Sequence, residues 1–224
     1  FGKIIGTGSY VPKEIVTNKD LAQYLDTDDT WIRERTGVKS RHISGDKETT
    51  ADMAVKAAEK ALENSGLLPD EIDLIIVSSV SSNLVLPSTA CFVQKAINAK
   101  NAFCFDINVA CTGFITAYNI SQTFINTGLI NTALIIGAES LSKITDWSDR
   151  KTCILFGDGA GAVVIKKDEN AMFETVMFSN GKNGDALTME NPFALRKTNL
   201  GKNHQGQFDI SFQDIQKTYI NMDG

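Results

Sequence analysis

The chain has 224 residues, 42% of them hydrophobic and 22% charged, an ordinary composition for a globular protein with ample core. Its formal net charge is -5, and the basic residues are scattered, which argues against a nucleic-acid footprint or a charged membrane-surface role. No apolar run reaches the length of a membrane span, and the opening Phe-Gly-Lys-Ile-Ile-Gly lacks the layout of a signal peptide.

In chain order, residues 3–6 read as a short strand entering a turn rich in glycine, serine and proline. Residues 18–25 and 28–35 read as two short helices opened by capping-type residues, the second closed by Gly37. Residues 49–65 give the clearest helical period. Met53, Ala54, Ala57, Ala58, Ala61 and Leu62 line one face, and Gly66 sits at the position of a helix C-terminal glycine. Residues 73–79 form a continuous apolar run of the kind buried on both sheet faces. A helix over 88–97, a strand over 101–107, a helix over 111–127 and strands over 132–137 and 160–166 complete an alternating series. Such alternation predicts an α/β unit with a mixed, mostly parallel sheet. After about Asp168 the texture changes. Residues 181–206 read as loops rich in Asn, Gly and Lys, and 208–212 and 219–222 as strands of something new. The expected division is therefore 1–168 and 169–224.

The four cysteines are Cys91, Cys104, Cys111 and Cys153. With no CxxC pair among them, they read as free thiols in a reducing, cytoplasmic setting. Cys91, Cys104 and Cys153 lie inside apolar helix or strand patterns and are expected to be buried and structural. Cys111 differs. It falls where a strand passes through a tight turn into a helix, in the field of unpaired backbone N–H groups that favours a thiolate. Small neighbours, Ala110, Thr112 and Gly113, leave room for a carbonyl to approach, and the N–H of Cys111 is a candidate oxyanion donor. Cys111 is accordingly the expected nucleophile.

Four segments carry a resemblance. They are Gly-Thr-Gly-Ser-Tyr-Val-Pro (6–12), Asp-Thr-Asp-Asp-Thr-Trp-Ile-Arg-Glu-Arg-Thr-Gly (26–37), Asp-Ile-Asn-Val-Ala-Cys-Thr-Gly-Phe (106–114) and Leu-Phe-Gly-Asp-Gly-Ala-Gly-Ala-Val (155–163). In order and register, the chain resembles β-ketoacyl-acyl-carrier-protein synthase III, the initiating condensing enzyme of fatty-acid synthesis, which has the thiolase-like fold. The resemblance implies that Cys111 takes the acyl group of an acyl-CoA starter, which then condenses with malonyl-acyl-carrier protein as carbon dioxide leaves. It implies that Trp31 and Arg150 sandwich the CoA adenine, and that Thr27, Arg35 and Leu155 are further substrate contacts. Leu86 would cross a homodimer interface into the partner's acyl pocket, where an aliphatic side chain leaves room for starters larger than acetyl. No metal or cofactor is expected, acyl-CoA being a substrate. Gly157, Asp158, Gly159 and Gly161 suggest a phosphate loop, but no Gly-Lys-Ser/Thr follows. A close structural turn is expected there.

The family's nucleophile works with a histidine and an asparagine that lie later in the fold. This chain has only His42 and His204, and His204, among Asn203 and Gln205, reads as a loop residue. Opening on Phe1 rather than Met, the chain is expected to be a trimmed product. Without those two groups and the second oxyanion donor, it is expected to be an N-terminal portion, one complete half of the fold plus the opening of the next. It should therefore not condense. Two alternatives stand beside this reading: another CoA-dependent condensing enzyme of the superfamily, and a non-catalytic binding module.

Overall fold

The computed structural model describes residues 1–191, 198–202, 208–212 and 218–222. Strands β1 (Gly2–Tyr10), β2 (Glu14–Thr17) and β3 (Ser40–Ile43) come with helices α1 (Asn18–Leu21) and α2 (Asp29–Thr36). Then follow α3 (Thr50–Ser65), β4 (Leu74–Ser78), α4 (Thr89–Ile97), β5 (Phe103–Ile107), α5 (Gly113–Asn126) and β6 (Thr132–Ser140). The short α6 (Arg150–Cys153) leads to β7 (Asp158–Lys167). Four further strands complete the series: β8 (Leu187–Thr188), β9 (Thr198–Lys202), β10 (Phe208–Phe212) and β11 (Asn221–Met222).

Five strands form the central sheet in the order β1-β7-β6-β4-β5. β4 pairs in parallel with both β5 and β6, whereas β7 is antiparallel to both β6 and β1. Four of the five strands therefore point one way. The reversal at β7, which sequence alternation alone did not reveal, has a physical cause. No full-length helix separates β6 from β7, so the chain returns beside β6 in the opposite sense. β1 is longer than expected because it pairs with β7 along most of its length, through an irregularity between Ile4 and Gly6.

Every residue of β4 is buried. Ile75 and Val77 face the core shared with α3 and α4, while Leu74 and Ile76 face the core shared with α5. The molecule is thus layered, helix on sheet on helix. α3 starts at a reciprocal cap: the Thr49 hydroxyl accepts from the Asp52 N–H, and Asp52 accepts in return from the Thr49 N–H. It ends at Gly66, whose φ of 70° favours glycine. Its Ala54, Ala57, Ala58 and Ala61 are fully buried, and this small-residue face lets β1 lie directly on the helix backbone. A Cβ placed on Gly6 would stand 2.3 Å from the Ala61 carbonyl oxygen, and one on Gly8 2.2 Å from that of Ala57.

Several expectations are corrected at the boundaries. Residues 18–25 hold only one helical turn before a hydrogen-bonded turn. β2 and β3, which the sequence reading passed over, form a small antiparallel pair. Residues 181–191 contain a 3-10 segment and β8, and of 219–222 only Asn221 and Met222 form a strand, against β8. Asn203, His204 and Gln205 lie outside the described residues.

Gly8→Ala is expected to lower unfolding stability by about 1–3 kcal/mol, the range for overpacking a filled site. Gly161→Ala, where a Cβ meets nothing within 4 Å, should change stability far less. Urea unfolding of both variants checks the contrast.

Candidate active site

Register fixes where the loops collect. Ser78 of β4 lies level with Ile107 of β5 and Gly137 of β6, so the segments following all three strands leave from the same edge of the sheet. In open parallel sheets this carboxyl edge is where ligands bind. Residues 108–112 follow β5 there and carry Cys111.

Cys111 is exposed. It lies in a single 3-10 turn, Ala110–Thr112, just ahead of α5, which starts at Gly113. The helix thus begins two residues later than expected, and the thiol sits at its mouth rather than inside its first turn. Two backbone features hold the turn. Ala110 has φ 46°, a left-handed conformation that a residue with a Cβ adopts at a cost of about 1–3 kcal/mol. Gly113 packs against β4 so tightly that a Cβ there would fall 1.8 Å from Ser78 Oγ. Only glycine lets the helix start so close to the strand end.

Trp31 and both arginines predicted to accompany it come together. Asp28 caps α2 by accepting from the Trp31 N–H at 2.8 Å, and Gly37 ends it at φ 73°. Trp31 is partly buried against a small core of Leu21, Ile32, Cys153 and Ile154, which ties α2 to the segment carrying Arg150. The Arg35 guanidinium carbon is 4.2 Å from the centre of the Trp31 ring, and that of Arg150 4.7 Å. Arg150 Nη1 also donates to the Asp26 carbonyl oxygen at 2.5 Å. Next to Asp26, the Thr27 hydroxyl oxygen is buried without a hydrogen-bond partner among the described residues.

The remaining predicted positions stand apart from this cluster. Leu86 is 83% exposed and precedes Pro87 through a cis peptide bond. It follows Leu84 and Val85, both exposed. Leu155, at the end of the α6 turn, is exposed. Among the described residues, no hydrogen bond, ion pair or ring contact links Cys111 to the Trp31 cluster or to His42, whose Nδ1 lies 2.6 Å from the Pro12 carbonyl oxygen. Of the other cysteines only Cys153 is buried as expected. Cys91 and Cys104 are half-buried, because they occupy the seam between α4 and β5 at the sheet's edge, where helix cover is incomplete.

Two carboxylates, Asp158 buried and Glu139 half-buried, organise the loops at this edge. Asp158 accepts from the N–H and hydroxyl of Ser44, both at 2.7 Å, and from the N–H and hydroxyl of Ser142, at 2.9 and 2.6 Å. It holds the start of β7 to two other segments, and a Cβ on Gly157 would press to 2.9 Å from the Arg41 side chain. The expected close turn is thus confined to Gly157, because Gly159 and Gly161 lie within β7 and a Cβ on Gly161 would meet nothing within 4 Å. Glu139, which the sequence reading passed over, accepts from the Val80 N–H at 2.9 Å and from the hydroxyls of Ser79 and Ser81. Burial pushes its carboxyl up, against the pull of these donors. Its only sequence signal was a charge at the end of an apolar strand. Among the described residues no group of three or more His, Cys, Asp or Glu is placed to hold a metal ion, and no helix is long and apolar enough to cross a membrane.

The family model of 3-oxoacyl-[acyl-carrier-protein] synthase III matches residues 105–181. The chain is 53% identical over 201 residues to the β-ketoacyl-[acyl-carrier-protein] synthase III of Clostridium acetobutylicum, covering 87% of this chain and 62% of that one. It is 47% identical over 224 residues to that of Clostridium perfringens, covering 99% and 65%. Among solved structures, the synthase III of Thermus thermophilus superposes with a TM-score of 0.82 at 34% identity, over 99% of this chain and 65% of that one. The priming β-ketosynthase of the R1128 polyketide pathway superposes with a TM-score of 0.85 at 30% identity, over 100% and 63%. The layered sheet with a cysteine at its carboxyl edge is a thiolase-like, condensing-enzyme fold. Within that class, the chain belongs to the β-ketoacyl-[acyl-carrier-protein] synthase III family. It spans 62% of the length of each of the two Clostridium relatives, from acetobutylicum and novyi, that it matches at 53% and 49% identity.

Because burial raises the Glu139 carboxyl, its ionisation disfavours the fold. Stability should fall as pH rises from the ordinary carboxyl range, about 4.3, through the raised folded value, and stay reduced above it. Glu139→Gln lacks this loss, so its stability relative to wild type should improve across that window, as read by thermal unfolding at a series of pH values. A difference independent of pH would contradict the assignment.

Proposed function

We propose that the chain supplies the acyl-accepting cysteine and the CoA-binding surface of a condensing enzyme that initiates fatty-acid synthesis. The observation that carries this reading is the exposed Cys111 in a backbone turn held by the left-handed Ala110 and the close-packed Gly113. Family membership sets the chemistry. The Cys111 thiolate attacks the carbonyl carbon of an acyl-CoA thioester. The C–S bond to CoA breaks, and CoA leaves as its thiol. A thiolate suits both stages, since it attacks well and later leaves well. Malonyl-acyl-carrier protein then loses carbon dioxide, its carbanion attacks the acyl-cysteine, and the Cys111 thiolate departs from the β-ketoacyl product.

Trp31, Arg35 and Arg150 form the CoA-recognition surface. An indole face and planar guanidinium groups stack on a nucleobase, and the two cations suit its phosphates. The unpartnered Thr27 hydroxyl supports a ligand atom reaching that point, and Leu155 is a further substrate contact. Arg150 at 4.7 Å from the ring has to swing away before a base can slide between them. In a homodimer, Leu86 reaches the partner's acyl pocket, and its aliphatic side chain accommodates starters larger than acetyl. The setting is cytoplasmic, with no metal or cofactor in the reaction.

The 224-residue chain is proposed to accept an acyl group without completing condensation. Among the described residues no side chain hydrogen-bonds to the Cys111 thiol, and decarboxylation needs donors positioned at the developing enolate. A priming ketosynthase of another pathway is the second reading, favoured by the TM-score of 0.85 to the R1128 enzyme. The 53% identity to the Clostridium acetobutylicum relative weighs against it.

Incubation with acetyl-CoA should add one acetyl group to the intact mass, and Cys111→Ala should abolish it. Adding malonyl-acyl-carrier protein should yield no β-ketoacyl product. Acylation that survives in Cys111→Ala would refute the nucleophile, and ready condensation would refute the proposal that the chain stops at acyl transfer.

Trp31→Ala should weaken CoA about 10-fold, within the range of roughly 1–3 kcal/mol for stacking one base. Equilibrium binding to the folded variant reads this directly. An unchanged affinity would move the adenine elsewhere.

A further inference from the structure

We propose that Cys91 and Cys104 form an oxidisable dithiol, a modification site separate from Cys111 that reacts with a small hydroperoxide and closes to a disulfide. Their sulfurs lie 3.6 Å apart, and the Ser88 hydroxyl donates to Cys91 Sγ at 3.1 Å. Both residues are half-buried, so a small oxidant reaches a pair that larger reagents approach slowly. The proposal does not depend on the acyl chemistry.

The surrounding backbone holds the pair in place. Cys91 lies in the first turn of α4, and Cys104 is the second residue of β5. Asp106, two residues on and therefore on the same face of the strand, accepts from the N–H groups of Thr89 and Ala90 at 2.5 and 2.8 Å. One carboxylate thus clamps the helix start to the strand beside both thiols. A disulfide needs an S–S separation of about 2.05 Å, so the sulfurs must close by only about 1.5 Å, a distance that side-chain rotation supplies. No other cysteine has a sulfur neighbour among the described residues. Cys111 stands exposed on its turn, and Cys153 is fully buried.

The two thiols have distinct parts. Burial, and then the hydrogen bond with Cys91, pushes the Cys104 thiol up to about 11, so it stays protonated at neutral pH. Cys91 reacts first. Its sulfur attacks the peroxide, the O–O bond breaks, one oxygen stays on Cys91 as a sulfenic acid, and the other leaves as water or alcohol with the thiol proton. Cys104 then attacks the sulfenic sulfur. The S–S bond forms, the S–O bond breaks, and hydroxide leaves as water by taking the Cys104 proton. The two sulfurs are oxidised by two electrons in total, and the peroxide is reduced by two.

Treating the 224-residue chain with hydrogen peroxide, blocking residual thiols with N-ethylmaleimide and digesting with trypsin without reductant tests this. Cleavage at Lys95 and Lys100 separates Cys91 from Cys104, and a second digestion with Asp-N, cutting before Asp106, separates Cys104 from Cys111. The expected result is a Cys91 peptide joined to a Cys104 peptide, loss of the free thiol at both residues, and recovery of both with dithiothreitol. In Cys104→Ser, the cross-link should vanish and Cys91 should progress to sulfinic acid. Full maleimide labelling of Cys91 and Cys104 after peroxide overturns the proposal. So does a link from either cysteine to Cys111 or to another chain, or wild-type Cys91 oxidised to sulfinic acid without a bridge.

Discussion

A strand buried on both faces governs this molecule. β4 offers no polar face to water, so it must be flanked by strands and covered by helices on either side. Parallel neighbours achieve both, because each parallel connection has to cross the sheet and can carry a helix. The functional consequence follows from direction. With β4, β5 and β6 aligned, their carboxyl ends open on one edge, and the chain must turn there after every strand. Cys111 is presented to solvent because it lies in one of those turns, while the strand before it is locked by pairing with β4.

Presentation also requires strain to be held in place. Ala110 at φ 46° would relax if the turn were free. It is not free, because α5 starts against Ser78 with no side chain at Gly113 to keep the two apart. The contact between Gly8 and α3 works on the opposite side of the sheet by the same logic. There, missing side chains bring β1 onto helix backbone, and β1 in turn supports β7 and β6. Glycine acts at both places through excluded volume, so the backbone positions behind the site are set by what is absent from Cα.

This difference in mechanism explains which features were legible in the sequence. α3 announces itself through a capping pair, an alanine face and Gly66, all local signals. The apolar run of β4 is also local. Cys111 stood out because strand, turn and helix patterns meet around it, and Trp31, Arg35 and Arg150 were found only through motif resemblance. The direction of β7 was not legible, since it depends on the absence of a crossover helix. Nor was Arg41, a buried cation whose partners are Asn18 Oδ1 and the carbonyls of Val16 and Ile154. Those bonds span 23 to 113 residues and leave no periodic trace. The half-burial of Cys91 and Cys104 was misjudged for a related reason: apolar patterning marks which face is covered, but not that β5 lies at the end of the sheet.

The charged groups behind the carboxyl edge, Arg41 and Asp158 buried and Glu139 half-buried, share one design. Arg41 has no carboxylate within ion-pair distance among the described residues and is held by oxygen dipoles, while burial works against its charge. Asp158 and Glu139 are held by N–H and hydroxyl donors in turn. Such groups are poor sources of net stability, because removal from water offsets most of what the hydrogen bonds return. They are strict about geometry, since an alternative loop position would leave a buried ion unpaired. Asp158 binds the start of β7 to Ser44 and Ser142, and Glu139 binds the end of β6 to residues 79–81. Arg41 joins β3 to the C-cap of α6. The three together position the loops that follow β4 and β6 and the segment bearing Arg150. A site assembled from separate loops needs that restriction more than it needs stability, and the apolar layers around β4 already supply the latter.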